Sequence, residues 1–248
     1  MKQTTMMLGA TLMLFSFAGF SCSRYDTNPA EVPDPANDES LVEVSAGDTD
    51  QTPEPVGELE PAAEGQTRQI VLAGGCFWCV EAVYEELEGV LDVESGYAGG
   101  DVVNANYQAV STGRTKHAEV VRITYDPSVI TYGTILKVFF TTAHDPTTLN
   151  RQGADIGPQY RSAIFYASDE QKQIAADYIK LLNEAGVFRD PIVTTLEPLD
   201  AYYPAEAGHQ DYARQNPGNP YIQNVSKPKV QKTRKAFTEL LKDEAEAE

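Results

Sequence analysis

At 248 residues the chain has room for one domain or two, and 37 acidic against 19 basic residues leave a formal net charge of −18. That balance excludes non-specific nucleic-acid binding and electrostatic adhesion to anionic lipid, both of which need a basic surface. Three cysteines and three histidines are the whole supply of groups for thiol or soft-metal chemistry.

Residues 1–21 carry one Lys and then an almost uninterrupted apolar run from Met6 to Phe20. The run is too short for a membrane span with no flanking anchor and predicts an export signal. Gly19-Phe20-Ser21-Cys22 resembles the lipobox of bacterial lipoproteins, in which a Cys after a small residue is lipidated and becomes the new N-terminus. Three thiols in an exported chain leave one unpaired unless Cys22 is lipidated and Cys76 and Cys79 pair. Ordinary secretion, with Cys22 trimmed away, is the alternative. Residues 22–67 are rich in Pro, Asp and Glu and poor in bulky apolar side chains, which predicts a disordered acidic linker. The acidic tail 243–248 reads as a solvating run, and the apolar periodic segments between, residues 68–242, have the size of a single domain.

Within that domain Ile70 to Ala73 predicts a short buried strand, broken by Gly74-Gly75, after which Val80, Val83, Tyr84 and Leu87 recur at helical spacing up to Gly89. Cys76 then sits at a helix N-terminus, where free N–H groups and the helix dipole predict a lowered thiol pKa. Cys79 lies one turn inside, within disulfide reach. Val90 to Val93 predicts a weak strand, Ser95 to Gly100 a glycine-rich loop, and Glu119 to Tyr125 a good strand ending at Asp126-Pro127. Glu119 shares a face with Val121, Ile123 and Tyr125, so a core on that face would raise its pKa. Thr134 to Thr142 predicts a mostly buried helix, Asn150 to Gln159 a polar loop, and Tyr160 to Ala167 a strand. Ser168 with Gln171 predicts a capping box for a helix ended by Gly186. Ile192 to Leu196 predicts a strand, Tyr202 to Pro220 an irregular segment, and Val230, Arg234, Phe237 and Leu241 a last helix. Helix and strand alternate, the pattern of an α/β or α+β chain.

Three chemistries compete for Cys76 and Cys79. A structural disulfide suits an exported protein, yet a bridge across three residues closes almost no loop. Zinc needs four ligands, and no second C-x-x-C exists to supply them, with His117, His144 and His209 scattered. Redox catalysis suits a C-x-x-C after a strand, but thioredoxin-like motifs place Trp before the first Cys, whereas here Phe77 and Trp78 lie between the two.

Gly75-Cys76-Phe77-Trp78 followed by Glu81 resembles the signature of the A-type peptide methionine sulfoxide reductases, which act on the S epimer. That enzyme class is a known repair route for oxidised methionine. The resemblance runs from about Gln69 to Lys242. It includes Tyr107, Thr115 to Val121, Tyr125-Asp126-Pro127, His144-Asp145-Pro146, Arg151 to Asp155, Gln159 to Ser162 and His209-Gln210-Asp211-Tyr212, with Lys116 where Gly is common.

The resemblance implies a two-layer sandwich around a mixed β-sheet, with a ferredoxin-like core and long irregular loops. It assigns Cys76 as nucleophile and Glu119 as the acid that protonates the departing sulfoxide oxygen. Phe77 and Trp78 match the aromatic wall for the substrate methyl, and Tyr107, Asp155 and Tyr160 match positions around the oxygen. Cys79 matches the resolving cysteine of a GCFWC subset, condensing with a Cys76 sulfenic acid to a disulfide. The resemblance further implies recycling by thioredoxin or an exported thioredoxin-like dithiol, oxidised methionine-containing proteins as substrates, and no metal or organic cofactor; nothing in the sequence demands more than a monomer, and the export signal with the Cys22 lipobox points to the bacterial cell envelope. Two other readings stay open, a general thiol-disulfide oxidoreductase that would not need Glu119 and a non-catalytic surface lipoprotein.

Overall fold

A computed structural model describes residues 52–243. The expected export signal, Cys22, residues 22–51 of the expected linker and the tail from residue 244 lie outside the described residues. The elements run β1 (Arg68–Gly74), α1 (Phe77–Tyr84), β2 (Val90–Ala98), α2 (Tyr107–Val110), β3 (Ala118–Tyr125), α3 (Tyr132–Val138), β4 (Arg151–Gln152), β5 (Asp155–Ile156), β6 (Ser162–Tyr166), α4 (Asp169–Glu184), β7 (Thr195–Pro198), β8 (Tyr202–Pro204), α5 (Tyr212–Gln215) and α6 (Lys227–Ala236).

Six strands form one mixed sheet in the order β7-β6-β1-β3-β2-β8, and β4 pairs with β5 in a separate hairpin. All neighbours in the large sheet are antiparallel except β6 and β7, which are parallel. Its inner four strands, β6-β1-β3-β2, with α1 between β1 and β2 and α3 and α4 on either side of the β4-β5 hairpin and β6, carry the ferredoxin-like core.

The two-residue period of the strands sorts their side chains. Ile70 and Leu72 of β1, Val121, Ile123 and Tyr125 of β3 and Ile164 of β6 face the main core. There they meet Val80 and Val83 of α1, Ile135 and Leu136 of α3, and Ile174, Tyr178 and Leu182 of α4. Val71, Ala73, Ala118, Val120, Ala163 and Phe165 fall on the opposite face under Leu199 and Tyr202. Helices therefore cover one side of the sheet and irregular chain the other. Half of the expected capping box forms, since Gln171 N–H donates to Ser168 Oγ at 3.1 Å, while the Gln171 amide oxygen reaches one residue further back and accepts from Ala167 N–H at 2.8 Å.

Several boundaries differ from the sequence reading. Ser95 to Ala98 is strand, because β3 offers a ladder for each residue, with Ser95 opposite Val121 and Tyr97 opposite Glu119. Long-range pairing overrides the glycine signal there. α1 ends at Tyr84, and Gly89, at φ +80, turns the chain into β2 where a Cβ would lie 2.8 Å from Val129 Cβ. β7 begins at Thr195 because Ile192 and Val193 donate their N–H groups elsewhere, to Asn183 Oδ1 and the Pro146 carbonyl. Tyr160 belongs to a tight turn after Pro158, before β6.

The end of the expected linker is also ordered onto the domain. Tyr178 OH donates to the Pro53 carbonyl at 3.1 Å, Thr131 Oγ1 to Glu58 at 2.8 Å and Glu60 N–H to Glu170 at 2.9 Å, while Lys137 pairs with Glu54. Leu59 packs on the core. Composition missed this strap because most of its contacts are polar.

Candidate active site

Everything distinctive about the site starts at the turn between β1 and α1. Gly75 has φ +91, and a Cβ there would come within 2.5 Å of Gln152 Cγ, so the position requires glycine. The turn leaves Cys76 as the N-cap residue of α1, as its sequence position predicts. Cys79 follows one turn later, its N–H donating to the Cys76 carbonyl at 3.1 Å. Both thiols are buried and unbridged.

β3 delivers Glu119 to the same place. Its carboxylate Oε2 accepts the backbone N–H of Phe77, the first residue of α1, at 3.2 Å. The side chain is 2 % exposed. Burial outweighs that hydrogen bond and pushes the carboxyl up to about 8, with the Asp155 charge adding to the rise. Glu119 is thus largely protonated at neutral pH, the direction its place in the strand predicts.

The lowered pKa expected for Cys76 is not what the structure holds. Burial pushes the Cys76 thiol well up, and the hydrogen bond with Cys79 and the charges of Cys79 and Glu119 push the same way. Burial is the main cause, and the N–H at the start of α1 that could offset it is spent on Glu119. The hydrogen bond from Cys76 instead favours the Cys79 thiolate and brings Cys79 down to about 7. Of the two sulfurs, the inner one ionises first while the site is empty.

Tyr221 ties Cys79 to Asp155. The Cys79 thiol donates to Tyr221 Oη at 3.8 Å, and the Tyr221 hydroxyl donates to Asp155 Oδ2. Burial raises the Asp155 carboxyl, opposed by Tyr221 and Lys229. Tyr107 and Tyr160 stand half-buried around the same group, each raised first by burial and then by the charges of Glu119, Asp155 and Cys76. Neither hydroxyl has a protein partner among the described residues, so both are available to a polar atom of a ligand.

The aromatic side of the site is deeper than the sequence shows. Phe77 is buried beneath Trp78, Tyr107 and Tyr97, at ring distances of 6.1, 6.5 and 5.9 Å. Trp78 is half-buried and stacks on Tyr212 at 3.9 Å and on His209 at 5.7 Å, and His209 in turn lies 4.3 Å from Tyr107. Glu206 fixes Tyr107 from behind, accepting its backbone N–H at 2.9 Å.

All eight residues singled out in the sequence, Cys76, Phe77, Trp78, Cys79, Tyr107, Glu119, Asp155 and Tyr160, gather at this one place. Sequence reasoning gave no role to Tyr221, Tyr212 or His209. The histidine block pointed to the last two, whereas nothing in the pattern marked Tyr221.

Two histidines have structural duties. His144 bridges the Phe139 carbonyl and Ser162 Oγ and is lowered to about 3 by burial, and His117 Nε2 lies 2.9 Å from the Asp101 carbonyl. Among the described residues no group of three or more His, Cys, Asp or Glu is placed to hold a metal ion. A cavity of about 620 Å³ opens elsewhere, between α1, β2 and the α5–α6 region, and none of the site residues lines it.

A soft nucleophile, a protonated buried carboxyl, two free phenols and an aromatic wall suit the cleavage of a polarised sulfur–oxygen bond, with a second thiol at hand to accept the oxidised sulfur. Comparison with known proteins points the same way. Residues 68–241 match the family described as peptide methionine sulfoxide reductase. The chain is 49 % identical over 193 residues to peptide methionine sulfoxide reductase MsrA 2 of Synechocystis, covering 77 % of this chain and 90 % of that one. Against MsrA 1 of Rhodopirellula baltica it is 56 % identical over 171 residues, 69 % of this chain and 88 % of that one. Among solved structures it resembles methionine sulfoxide reductase A of Corynebacterium diphtheriae, with a TM-score of 0.53, 38 % identity, and coverage of 63 % of this chain and 79 % of that one. Reduced Mxr1 of Saccharomyces cerevisiae gives a TM-score of 0.56 at 35 % identity over 64 % of this chain and 91 % of that one.

Proposed function

The chain belongs to the peptide methionine sulfoxide reductase family and is a methionine sulfoxide reductase, and from that premise we propose how its residues act: Cys76 is the nucleophile, Glu119 the acid and Cys79 the resolving thiol, on the S epimer of the sulfoxide. The carrying observation is the Glu119 carboxyl, buried on the first N–H of the Cys76 helix and pushed up to about 8.

The substrate methyl enters against Trp78 and Phe77, where sulfur and methyl contacts to rings bind without polar competition. The sulfoxide oxygen faces Glu119 and the hydroxyls of Tyr107 and Tyr160, with Asp155 behind. Glu119 shares its proton with that oxygen, and Cys76 attacks the sulfoxide sulfur as its own proton is released. In the adduct the protonated oxygen passes from the substrate sulfur to the Cys76 sulfur as the S–O bond and the new S–S bond break, so methionine leaves and Cys76 carries the oxygen as a sulfenic acid. Cys79, ionised more readily than Cys76, attacks the sulfenic sulfur, forming a disulfide and expelling water. An external dithiol of the thioredoxin type then reduces the disulfide and closes the cycle, with no metal or organic cofactor taking part. We place this activity, as a monomer, on oxidised proteins of a bacterial envelope, reached through the export signal and a lipid on Cys22.

The test is dithiothreitol-dependent reduction of the separated S and R sulfoxides of a blocked methionine by the wild-type chain and by Cys76→Ser and Glu119→Gln. Turnover of S alone, absent in Cys76→Ser and slowed by roughly 10²–10⁴-fold in Glu119→Gln, is expected. Equal use of both epimers, or full activity in either variant, overturns these assignments. Cys79→Ser is expected to yield about one methionine per protein and to lose thioredoxin-driven turnover while retaining a Cys76 sulfenic acid, which dimedone labelling and mass spectrometry detect.

A further inference from the structure

Glu81 sits on α1 five residues after Cys76, takes no part in the chemistry above, and is 1 % exposed. An ionisable group so deeply buried is costly unless its hydrogen bonds hold something together. Its Oε1 accepts from Ser95 Oγ at 3.1 Å. Burial pushes the carboxyl up to about 7, opposed by the backbone N–H groups of Asp211 and Tyr212 and by the Ser95 hydroxyl, and Oε2 has no hydrogen bond of regular geometry among the described residues.

Ser95 is itself a junction. Its N–H donates to Gln210 Oε1 at 2.8 Å, and Gln210 Nε2 returns a bond to the Ser95 carbonyl at 2.9 Å. Asp211 has φ +53, one of two non-glycine residues with positive φ among the described residues, and it begins α5 with no side-chain cap of its own. A four-residue helix entered through such a turn has little intrinsic stability. This is the segment that carries His209 and Tyr212, the rings stacked on Trp78.

We propose that Glu81 is a positioning residue for substrate binding: with Ser95 and Gln210 it anchors residues 205–216 and so sets Tyr212 and His209 against Trp78. The inference rests on the reading of Trp78 as the wall that receives the substrate methyl. Cys76 and Glu119 are held separately, by the start of α1 and by β3, so loosening this anchor reaches binding before it reaches the chemical step.

Trp78 is the single tryptophan of the chain, so its emission reports this contact directly. In Glu81→Leu the KM for the blocked S sulfoxide is expected to rise by about fivefold or more while kcat changes much less, the loss of one buried hydrogen-bonded anchor. Trp78 emission should shift to the red, and Glu81→Gln, which keeps the acceptor for Ser95, should recover part of both effects. Unchanged KM and unchanged emission in a cooperatively folded Glu81→Leu protein overturn the proposal. Should Glu81→Leu fail to fold, Glu81→Gln and Ser95→Ala decide it by the same two readings. Trp78→Ala, run alongside, separates the two levels of the argument. A raised KM in Trp78→Ala with wild-type behaviour in the Glu81 variants removes only the role of Glu81, whereas an unchanged KM in Trp78→Ala removes the wall and this inference with it.

Discussion

Glu119 is held between opposing effects, an N–H bond that favours its charge and a burial that disfavours it, and burial wins. Its folded-state value near 8 exceeds the ordinary 4.5, so the folded protein binds this proton more tightly than the unfolded chain does. The associated stability is full below about pH 4.5 and is lost as pH rises through about 8. Glu119→Gln should therefore melt higher than wild type at pH 9, on the order of 5 °C, with the gap closing toward pH 4. Calorimetry at the two pH values checks this, and a gap independent of pH would contradict it. For the same reason kcat/KM should fall above about pH 8 in wild type, while Glu119→Gln keeps its low rate without that limb. Glu119 was legible in the sequence because strand parity alone places it on the core face. The Cys76 thiol was misread because sequence shows a free helix start and can show neither how deeply the folded chain buries that sulfur nor a carboxylate arriving from a strand 42 residues later. Tyr221 was invisible for a similar reason, since its partners Cys79 and Asp155 lie 142 and 66 residues away and no periodicity links them.

Among the elements, the β1–α1 turn does most to place the site. Gln152 closes over Gly75, its amide fixed by Asp145 N–H at 3.0 Å and by the Asp145 carbonyl at 3.0 Å. Gly75→Ala meets both a positive φ and that fixed side chain, so it should cost roughly 2–4 kcal/mol and displace Cys76. Urea unfolding combined with activity measures both, and a neutral effect would show that the turn can relax. Turn, helix and the strands β1, β3 and β6 were readable because glycine punctuation and two-fold or helical periodicity are local signals. β8, the second half of β2 and the shift of β7 were not, because strand pairing with distant chain created them.

At the scale of the whole molecule, the strand order β6-β1-β3-β2 is a fact about non-local pairing that no window of sequence contains, and it came into view only through resemblance. The strap before β1 escaped even that. Removing residues 1–66 should take Pro53 from the Tyr178 hydroxyl and Leu59 from the core and lower stability by about 1–3 kcal/mol, seen as a Tm lower by several degrees than that of a chain beginning at Gln51. An unchanged Tm would make the strap an ornament of the fold. The resting state of the thiols reaches beyond turnover. A repair enzyme meets the same oxidants as the proteins it repairs, and a cysteine kept ionised would be consumed by peroxide while waiting. Here the more accessible sulfur, Cys76, is held as a thiol, and the one that ionises first, Cys79, is wholly buried, so idle enzyme should outlast many of its own clients in an oxidative burst, which would leave it available when the burst has passed.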